Sequence, residues 1–508
     1  MTRRRRVDVD LDELDQIIDR SQRAPLSEAE GEKLKTALHA MAERLLQKRS
    51  TEKTSAVLPP DPAPAGEPES NESALPGHGR NPSAVFRGAN QVAVAHPTLH
   101  SGDICPECRR GKVYHQKEPA RLVRFVGHAP LEATVFEMER LRCNACGEVF
   151  TADKPETAGP AKYDETAVAM IALLKYGTGV PFKRLETLQA QLGMPLPAAT
   201  QWELMAAAAN PLRLALAELI RQAAQGRVLH NDDTSMRILR LIREPGDKRT
   251  GTFTSGIVSL VGAWTIALFF TGSKHAGENL AEVLKQRAHE LPAPIQMCDA
   301  LSRNMPKGVE TLTANCLAHG RRQVVEVVDH FPEECRHVLE ALGGVYHNDA
   351  VARERALSPE DRLHYHQEHS GPLMQGLHDW MEAQLAEHKT EPNSGLGKAI
   401  SYLLNHWSKL TLFLRQPGSP IDNNIVERSL KKAILNRRNA LFYKTLNGAA
   451  VGDLFMSLIH TCELNGANPF DYLTELLRHS EWLKQSPSEW MPWNYRETLA
   501  RLARPAAA

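Results

Sequence analysis

Beyond Gly226 the chain stops reading as amphipathic helix and becomes a series of short apolar runs, two of which lead to an aspartate. Arg227-Val228-Leu229-His230 is a strand reaching Asp232, and Pro294-Ile295-Gln296-Met297-Cys298 is a strand reaching Asp299. Between them, residues 253–270 carry no charge but contain Thr254, Ser255, Gly256, Ser259, Gly262 and Thr265. That composition predicts two strands with a turn near Gly262-Ala263 rather than a membrane span. A helix is expected over about 277–287, and Cys316-Leu317-Ala318-His319 with a following helix closes the series. Three strands followed by alternating helix and strand predict a mixed sheet covered by helices. Residues 331–415 read as a helical insertion, and 420–480 as helical again.

With 508 residues the chain is too long for one core, so the expected class is multidomain α+β. Residues 1–48 form an amphipathic helical segment, with Leu34, Leu38, Met41 and Leu45 at helical spacing and a capping-box pair, Ser27 and Glu30. Residues 49–100, rich in Pro, Ser, Gly, Ala and Glu, predict a flexible linker. A cysteine module follows over 101–152. Residues 161–225 read as three helices, broken at Gly177 to Pro181 and at Gly193, which suits either a helix-turn-helix-like DNA-binding module or a spacer. The sheet domain spans 226–445, with its insertion at about 331–415, and a C-terminal helical segment spans 446–508.

Lys+Arg and Asp+Glu both number 61, so overall charge gives no sign of nucleic acid, and local clusters must supply it. The arginine-rich start has no apolar stretch behind it and is not a signal peptide. Of eight cysteines, four form two Cys-x-x-Cys pairs, a pattern for a metal site in a reducing cytosol rather than a disulfide framework. A cytoplasmic protein with no membrane partner is expected.

Cys105-Pro106-Glu107-Cys108 and Cys143-Asn144-Ala145-Cys146 each place two thiolates on a tight turn. Four soft ligands suit one tetrahedral, structural Zn²⁺. Val113-Tyr114-His115 and a second candidate strand at 122–126 fit a zinc ribbon. Arg109, Arg110, Lys112, Lys117, Arg121 and Arg124 make this module basic, as for a DNA contact or a solvated face.

Asp232 and Asp299, if their strands are neighbours, project from one sheet edge, where hard oxygen ligands hold Mg²⁺ or Mn²⁺. Two such ions can activate an attacking oxygen and stabilise a leaving one. The candidate third acid is Glu427, in Ile421-Asp422-Asn423-Asn424-Ile425-Val426-Glu427-Arg428. Behind it come Arg428, Lys431, Lys432, Arg437, Arg438 and Lys444, a basic run suited to a phosphate backbone. Other readings remain open: an Asp at a strand end is often a turn residue, Asn424-x-x-Glu427 fits a capping box, and Asp233 or Asp422 could substitute. The spacing of His364, His366 and His369 could suit a metal, but a polar helix face is expected.

Four blocks resemble the insertion sequence 66 (IS66) transposase family, in order and over nearly the whole chain. They are Leu229-His230-Asn231-Asp232-Asp233-Thr234, Gln296-Met297-Cys298-Asp299, Cys316-Leu317-Ala318-His319-Gly320-Arg321-Arg322, and Pro420-Ile421-Asp422-Asn423-Asn424-x-x-Glu427-Arg428 with its continuation through Asn436-Arg437-Arg438-Asn439 to Asn465-Gly466-x-x-Pro469. The chain departs from the family pattern at Asp233, where Glu is typical, at Lys431, where Arg is frequent, and at Ala300-Leu301-Ser302. The resemblance implies an RNase H-like catalytic domain with the Asp-Asp-Glu triad Asp232, Asp299 and Glu427 holding two Mg²⁺ or Mn²⁺ ions. His319 could touch the scissile phosphate or be a buried histidine next to Cys316, and supporting roles are expected for His319 and Arg322. The resemblance further implies a DNA transposase that cleaves and joins strands at element ends, with Arg428, Lys431, Lys432, Arg437 and Arg438 on phosphates. The partners would be element-end and target double-stranded DNA, a homodimer or higher assembly, and accessory proteins of the same element, in the bacterial nucleoid when acting. The competing functions are a metal-dependent nuclease that cuts without joining and a non-catalytic zinc-ribbon DNA-binding protein.

Overall fold

The computed structural model describes residues 93–116, 129–144, 146, 148–241 and 249–503. The expected N-terminal helix with Ser27 and Glu30, the linker up to residue 92, the candidate strand at 122–126, and Lys117, Arg121 and Arg124 lie outside the described residues. The chain divides into two units, Pro62–Thr134 and the remainder. Within the first, an antiparallel bridge between Ile104 and Lys112 closes a turn.

Among the described residues, the first strands of the larger unit form a small hairpin, β1 (Arg140–Arg142) and β2 (Val149–Thr151). Helix α1 (Glu165–Ala172) starts where the Asp164 carboxylate accepts the Ala167 N–H at 2.9 Å, and runs into one π-helical turn at Leu173–Gly177. Prolines precede α2 (Phe182–Gln191) and α3 (Ala198–Ala223), and Gly193 takes a left-handed φ of 77° between them.

The centre is a five-stranded mixed sheet of β3 (Val228–Ser235), β5 (Phe253–Val261), β6 (Trp264–Gly272), β7 (Ile295–Cys298) and β8 (Leu312–Asn315), in the order β6-β5-β3-β7-β8. Pairings among β6, β5 and β3 are antiparallel, and those among β3, β7 and β8 are parallel. The charge-free stretch is the β5–β6 hairpin, with Gly262 at φ 58° in its two-residue loop. Among the described residues no helix is long and apolar enough to cross a membrane. Every residue of β7 is buried, as a central parallel strand requires. A two-stranded ribbon pairs β4 (Ile238–Arg240) with β9 (Tyr443–Thr445).

Helices α4 (Ala276–Leu284) and α11 (Asn424–Ala440) both pack on β3 and β5. Asn279 of α4 donates to Ser255 Oγ, whereas Gly256 lies under Val426 and Leu430 of α11. Successive strand residues point to opposite faces, so the two helices cover opposite faces. Gly256 permits the close approach of α11, since a Cβ there would lie 3.0 Å from Leu430.

Between β8 and α11 the chain is helical, as expected: α5 (Leu317–Val325), α6 (Pro332–Glu354), α7 (Pro359–His369), α8 (Gly371–Ala386), α9 (Gly395–Asn405) and α10 (Trp407–Leu410). These helices build a hydrophobic core of their own that includes Leu317, Val338, Leu377, Ile400 and Ile421. His366 corrects the polar-face expectation. It is 1% exposed, hydrogen-bonds Ser370 Oγ at 3.0 Å and packs edge-on against Phe413, while His364 and His369 are exposed.

After β9, α12 (Leu446–Leu464) lies along the edge strand β6, followed by α13 (Pro469–Arg478), α14 (Ser480–Gln485) and α15 (Tyr495–Leu502). Its side chains stand in for a missing strand. Asp453 Oδ2, Ser457 Oγ, Thr461 Oγ1 and Asn465 Oδ1 accept the backbone N–H groups of Thr271, Phe269, Ala267 and Thr265, at 2.6 to 3.1 Å. Four helical residues rise about 6 Å and two strand residues about 6.6 Å, so the repeats match. The rungs satisfy the open edge of the sheet.

Candidate active site

Asp232 and Asp299 meet at the carboxyl ends of adjacent parallel strands. The parallel register pairs Val228 with Ile295 and His230 with Met297, and the same offset sets Asp232 opposite Asp299. The parallel ladder stops at His230, but β3 continues through Asp232 to Ser235 because its other side still pairs with β5. Asp232 is thus inside a strand rather than at its end. Asn304 Nδ2 donates to both carboxylates, at 3.2 Å to Asp232 Oδ1 and 2.7 Å to Asp299 Oδ1. Burial pushes the Asp232 carboxyl up to about 7, and the neighbouring Asp299 and Asp233 charges push the same way. A buried and a half-buried acid on one amide, the second poorly able to ionise without a counter-charge, fit a divalent cation.

Asp233 is held elsewhere. It opposes Ser255 and so faces α4, and its carboxylate takes His275 Nδ1 at 2.8 Å and Arg303 at 3.4 Å. Asp232 opposes Gly256 and faces α11. Asp422 accepts the Asn424 N–H and side-chain amide at 3.1 and 2.7 Å, forming the turn into α11.

Glu427 lies in the first turn of α11, which is fastened to the same strand ends by Asn423. The Asn423 side chain accepts from His230 Nδ1 at 3.0 Å and donates to the Asn231 carbonyl at 3.1 Å, and its backbone N–H meets Cys316 Sγ at 3.2 Å. Burial lowers His230 to about 4, so the ring is neutral and suited to this single donation. The Leu317 N–H donates to the Ile421 carbonyl at 3.0 Å, joining α5 to the approach of α11. The helix cap is Asn423 rather than Asn424, with no side-chain cap bond, so the expected alternative of a capping box at Asn424 and Glu427 does not form. Glu427 Oε1 instead faces His319 Nδ1 at 3.7 Å, and ligand atoms of Cys316, His319 and Glu427 lie within 4.8 Å of one another. Arg322 sits one turn beyond His319 on α5 and is half-buried.

The basic residues of α11 divide by face. Arg428, Lys431 and Arg438 are exposed, and with Leu435 they fall on one stripe beside Glu427. Lys432 pairs with Glu463 at 2.8 Å and donates to the Gly177 carbonyl. Arg437 donates to Thr234 Oγ1 and Ser235 Oγ at 3.0 and 2.8 Å, bracing the end of β3.

Each cysteine pair occupies a turn in its own unit. The Cys105 N–H donates to the Gly111 carbonyl at 2.8 Å and the Gly111 N–H to Cys108 Sγ at 3.5 Å, with Arg109 at a positive φ of 52°. Hydrogen bonds from the backbone of Arg110 and Gly111, then from Cys105, lower the Cys108 thiol. Cys143 follows β1 and donates its N–H to the Glu148 carbonyl at 2.8 Å across the hairpin loop. Such turns suit thiolate ligation of zinc.

Sequence reasoning singled out the three acids but missed Asn304 and the clamp made by Asn423. Asn423 was visible beside Asp422, whereas Asn304 sits in the ordinary polar run Ser302-Arg303-Asn304, where only folding reveals it.

Residues 161–451 match the model of the family described as Transposase IS66 family. Three proteins of Sinorhizobium fredii, each described as uncharacterized, are similar. The protein y4jD is 35% identical over 36% of this chain and 36% of its own length. For y4hP the identity is 25% over 73% and 69%, and for y4qI it is 23% over 65% and 62%. The chain therefore spans about a third of y4jD and about two thirds of the other two.

Proposed function

We propose, from the premise that this chain belongs to the Transposase IS66 family, that it is a DNA transposase that cleaves and joins strands at insertion-element ends through Asp232, Asp299 and Glu427. The observation that carries this is the register of β3 against β7, which sets Asp232 opposite Asp299 on one Asn304 amide, with Asp232 on the sheet face covered by the Glu427 helix. The strand order, three antiparallel strands and then two parallel ones, supports an RNase H-like assignment.

Asp232 and Asp299 would hold the cations, and Asn304 fixes one oxygen of each. Bound Mg²⁺ or Mn²⁺ ions would supply Lewis acidity, activating the attacking water or 3′-hydroxyl and stabilising the leaving oxygen. Asn423 sets the height of Glu427 over the strand ends. Arg428, Lys431 and Arg438 bind phosphates beside it. Two element ends have to meet, so the active form holds at least two chains. A separate proposal covers the cysteine turns: Cys105, Cys108, Cys143 and Cys146 bind structural Zn²⁺, so the purified protein contains zinc that Cys108→Ser and Cys143→Ser reduce.

Purified full-length protein, DNA carrying element ends and Mg²⁺ should give both cleaved and joined products. Asp232→Asn, Asp299→Asn and Glu427→Gln should each bring both to background while DNA binding persists. Cleavage without joining would instead mark a nuclease, and undiminished cleavage in all three variants would sink the reading.

A further inference from the structure

Two part-buried His–carboxylate pairs close to hydrogen-bond distance: His275 Nδ1 lies 2.8 Å from Asp233 Oδ2, and His460 Nδ1 lies 2.8 Å from Glu463 Oε2. His319 and Glu427 do not. Their facing atoms, Nδ1 and Oε1, stay 3.7 Å apart. Both atoms are shut off from solvent, and neither has a hydrogen-bond partner among the described residues. Leaving two buried polar atoms unsatisfied is costly unless something bridges them. Two ligands of one cation, each about 2.1 Å from it, stand roughly 3–4 Å apart, the separation held here. The backbones are fixed independently of any contact between the two side chains, through Leu317 N–H to Ile421 and Asn423 N–H to Cys316 Sγ. Cys316 offers its Sγ within 4.8 Å of a ring nitrogen of His319 and a carboxylate oxygen of Glu427.

The geometry points to His319 Nδ1 as a direct ligand, with Glu427, of one divalent cation of borderline softness, in the Mn²⁺, Co²⁺ or Zn²⁺ class. The assignment rests on the proposed role of Glu427 and adds to it: of the two cation positions, that of Asp232 and Asp299 is all-oxygen, and that of Glu427 carries an imidazole nitrogen. Imidazole favours borderline cations over Mg²⁺, so the Glu427 position discriminates between metals where the aspartate position does so less.

The test is electron paramagnetic resonance of full-length protein with added Mn²⁺, without DNA or turnover. Nitrogen-14 modulation of the bound Mn²⁺ signal is expected in the wild type and in Asp232→Asn. It is expected to vanish in His319→Ala, whose Mn²⁺ affinity at that position falls about 10–100-fold or more. His319→Gln, with circular dichroism to verify folding, guards against simple loss of structure. Bound Mn²⁺ without nitrogen coupling in the wild type, or coupling unchanged in folded His319→Ala or His319→Gln, overturns the assignment. Strand cleavage by Asp232→Asn and Asp299→Asn reports separately on the triad. Cleavage persisting there, with nitrogen coupling still dependent on His319, removes the triad and leaves this cation site standing.

Discussion

Asp453 is buried on a mostly apolar helix, and its two oxygens take the Thr271 N–H and hydroxyl, both at 2.6 Å. Burial still dominates and raises its carboxyl to about 7, from an ordinary 3.8. The folded state therefore keeps a proton that the unfolded chain releases above 3.8, and this group's contribution to stability falls as pH rises from 3.8 through 7. Asp453→Asn should flatten that part of the pH–stability profile, since the amide can still accept from one Thr271 donor. Melting temperatures of both proteins between pH 4 and 8, roughly spanning that window, check it. At this scale much of the candidate site was readable. Asp232, Asp299 and Glu427 stood out as acids at the ends of apolar runs or in a basic helix. The choice between Asp232 and its neighbour Asp233 was not readable, because it depends on which face α11 covers. Asn304 was invisible, since its amide finds both aspartates only through the turn after β7.

The polar rungs along α12 and its C-cap follow a four-residue repeat, Asp453, Ser457, Thr461, Asn465, on a helix otherwise apolar nearly all round. That stripe is legible in the sequence, but its partner is not: a polar stripe usually faces water, and this one faces an edge strand. Ser457→Ala should strand the Phe269 N–H and cost about 1–3 kcal/mol, read by denaturant unfolding. On α11 the basic residues separate in the same way. Arg437→Ala should lower stability by about 1–3 kcal/mol through its lost bonds to Thr234 and Ser235. Lys431→Ala and Arg438→Ala should leave stability within about 0.5 kcal/mol. Each should also weaken DNA binding uniformly across sequences and reduce the salt dependence by about one counterion. Melting curves and binding isotherms at several salt concentrations distinguish the two groups. Sequence could not make this division, because the basic run is continuous and only the packing of Lys432 on Glu463 and Arg437 on β3 uses part of it internally.

Across the whole larger unit, the mixed sheet and the helical stretch after β8 follow from the periodicity of the sequence, whereas β8 itself, a four-residue run with a polar end, was too short to stand out. The C-terminal helices are more tightly integrated than a terminal segment would suggest. Trp490 is 1% exposed, its carbonyl accepts the Tyr472 hydroxyl at 2.8 Å, and its segment packs on α3, which in turn packs on β5 and β6. Trp490→Ala should cost about 3–5 kcal/mol, and calorimetry should show the sheet and the C-terminal helices melting together. The helical bundle between β8 and α11 encloses both Leu317 and Ile421, the residues through which α5 grips the approach to Glu427. On the proposed triad, a growing chain that has left the ribosome through residue 330 owns both aspartates and yet cannot cut. Residues 331–415 must still be synthesised and collapse before the last acid is carried into place. On that triad the order of translation acts as a safety catch, because the site is complete only once the chain has been made past Glu427.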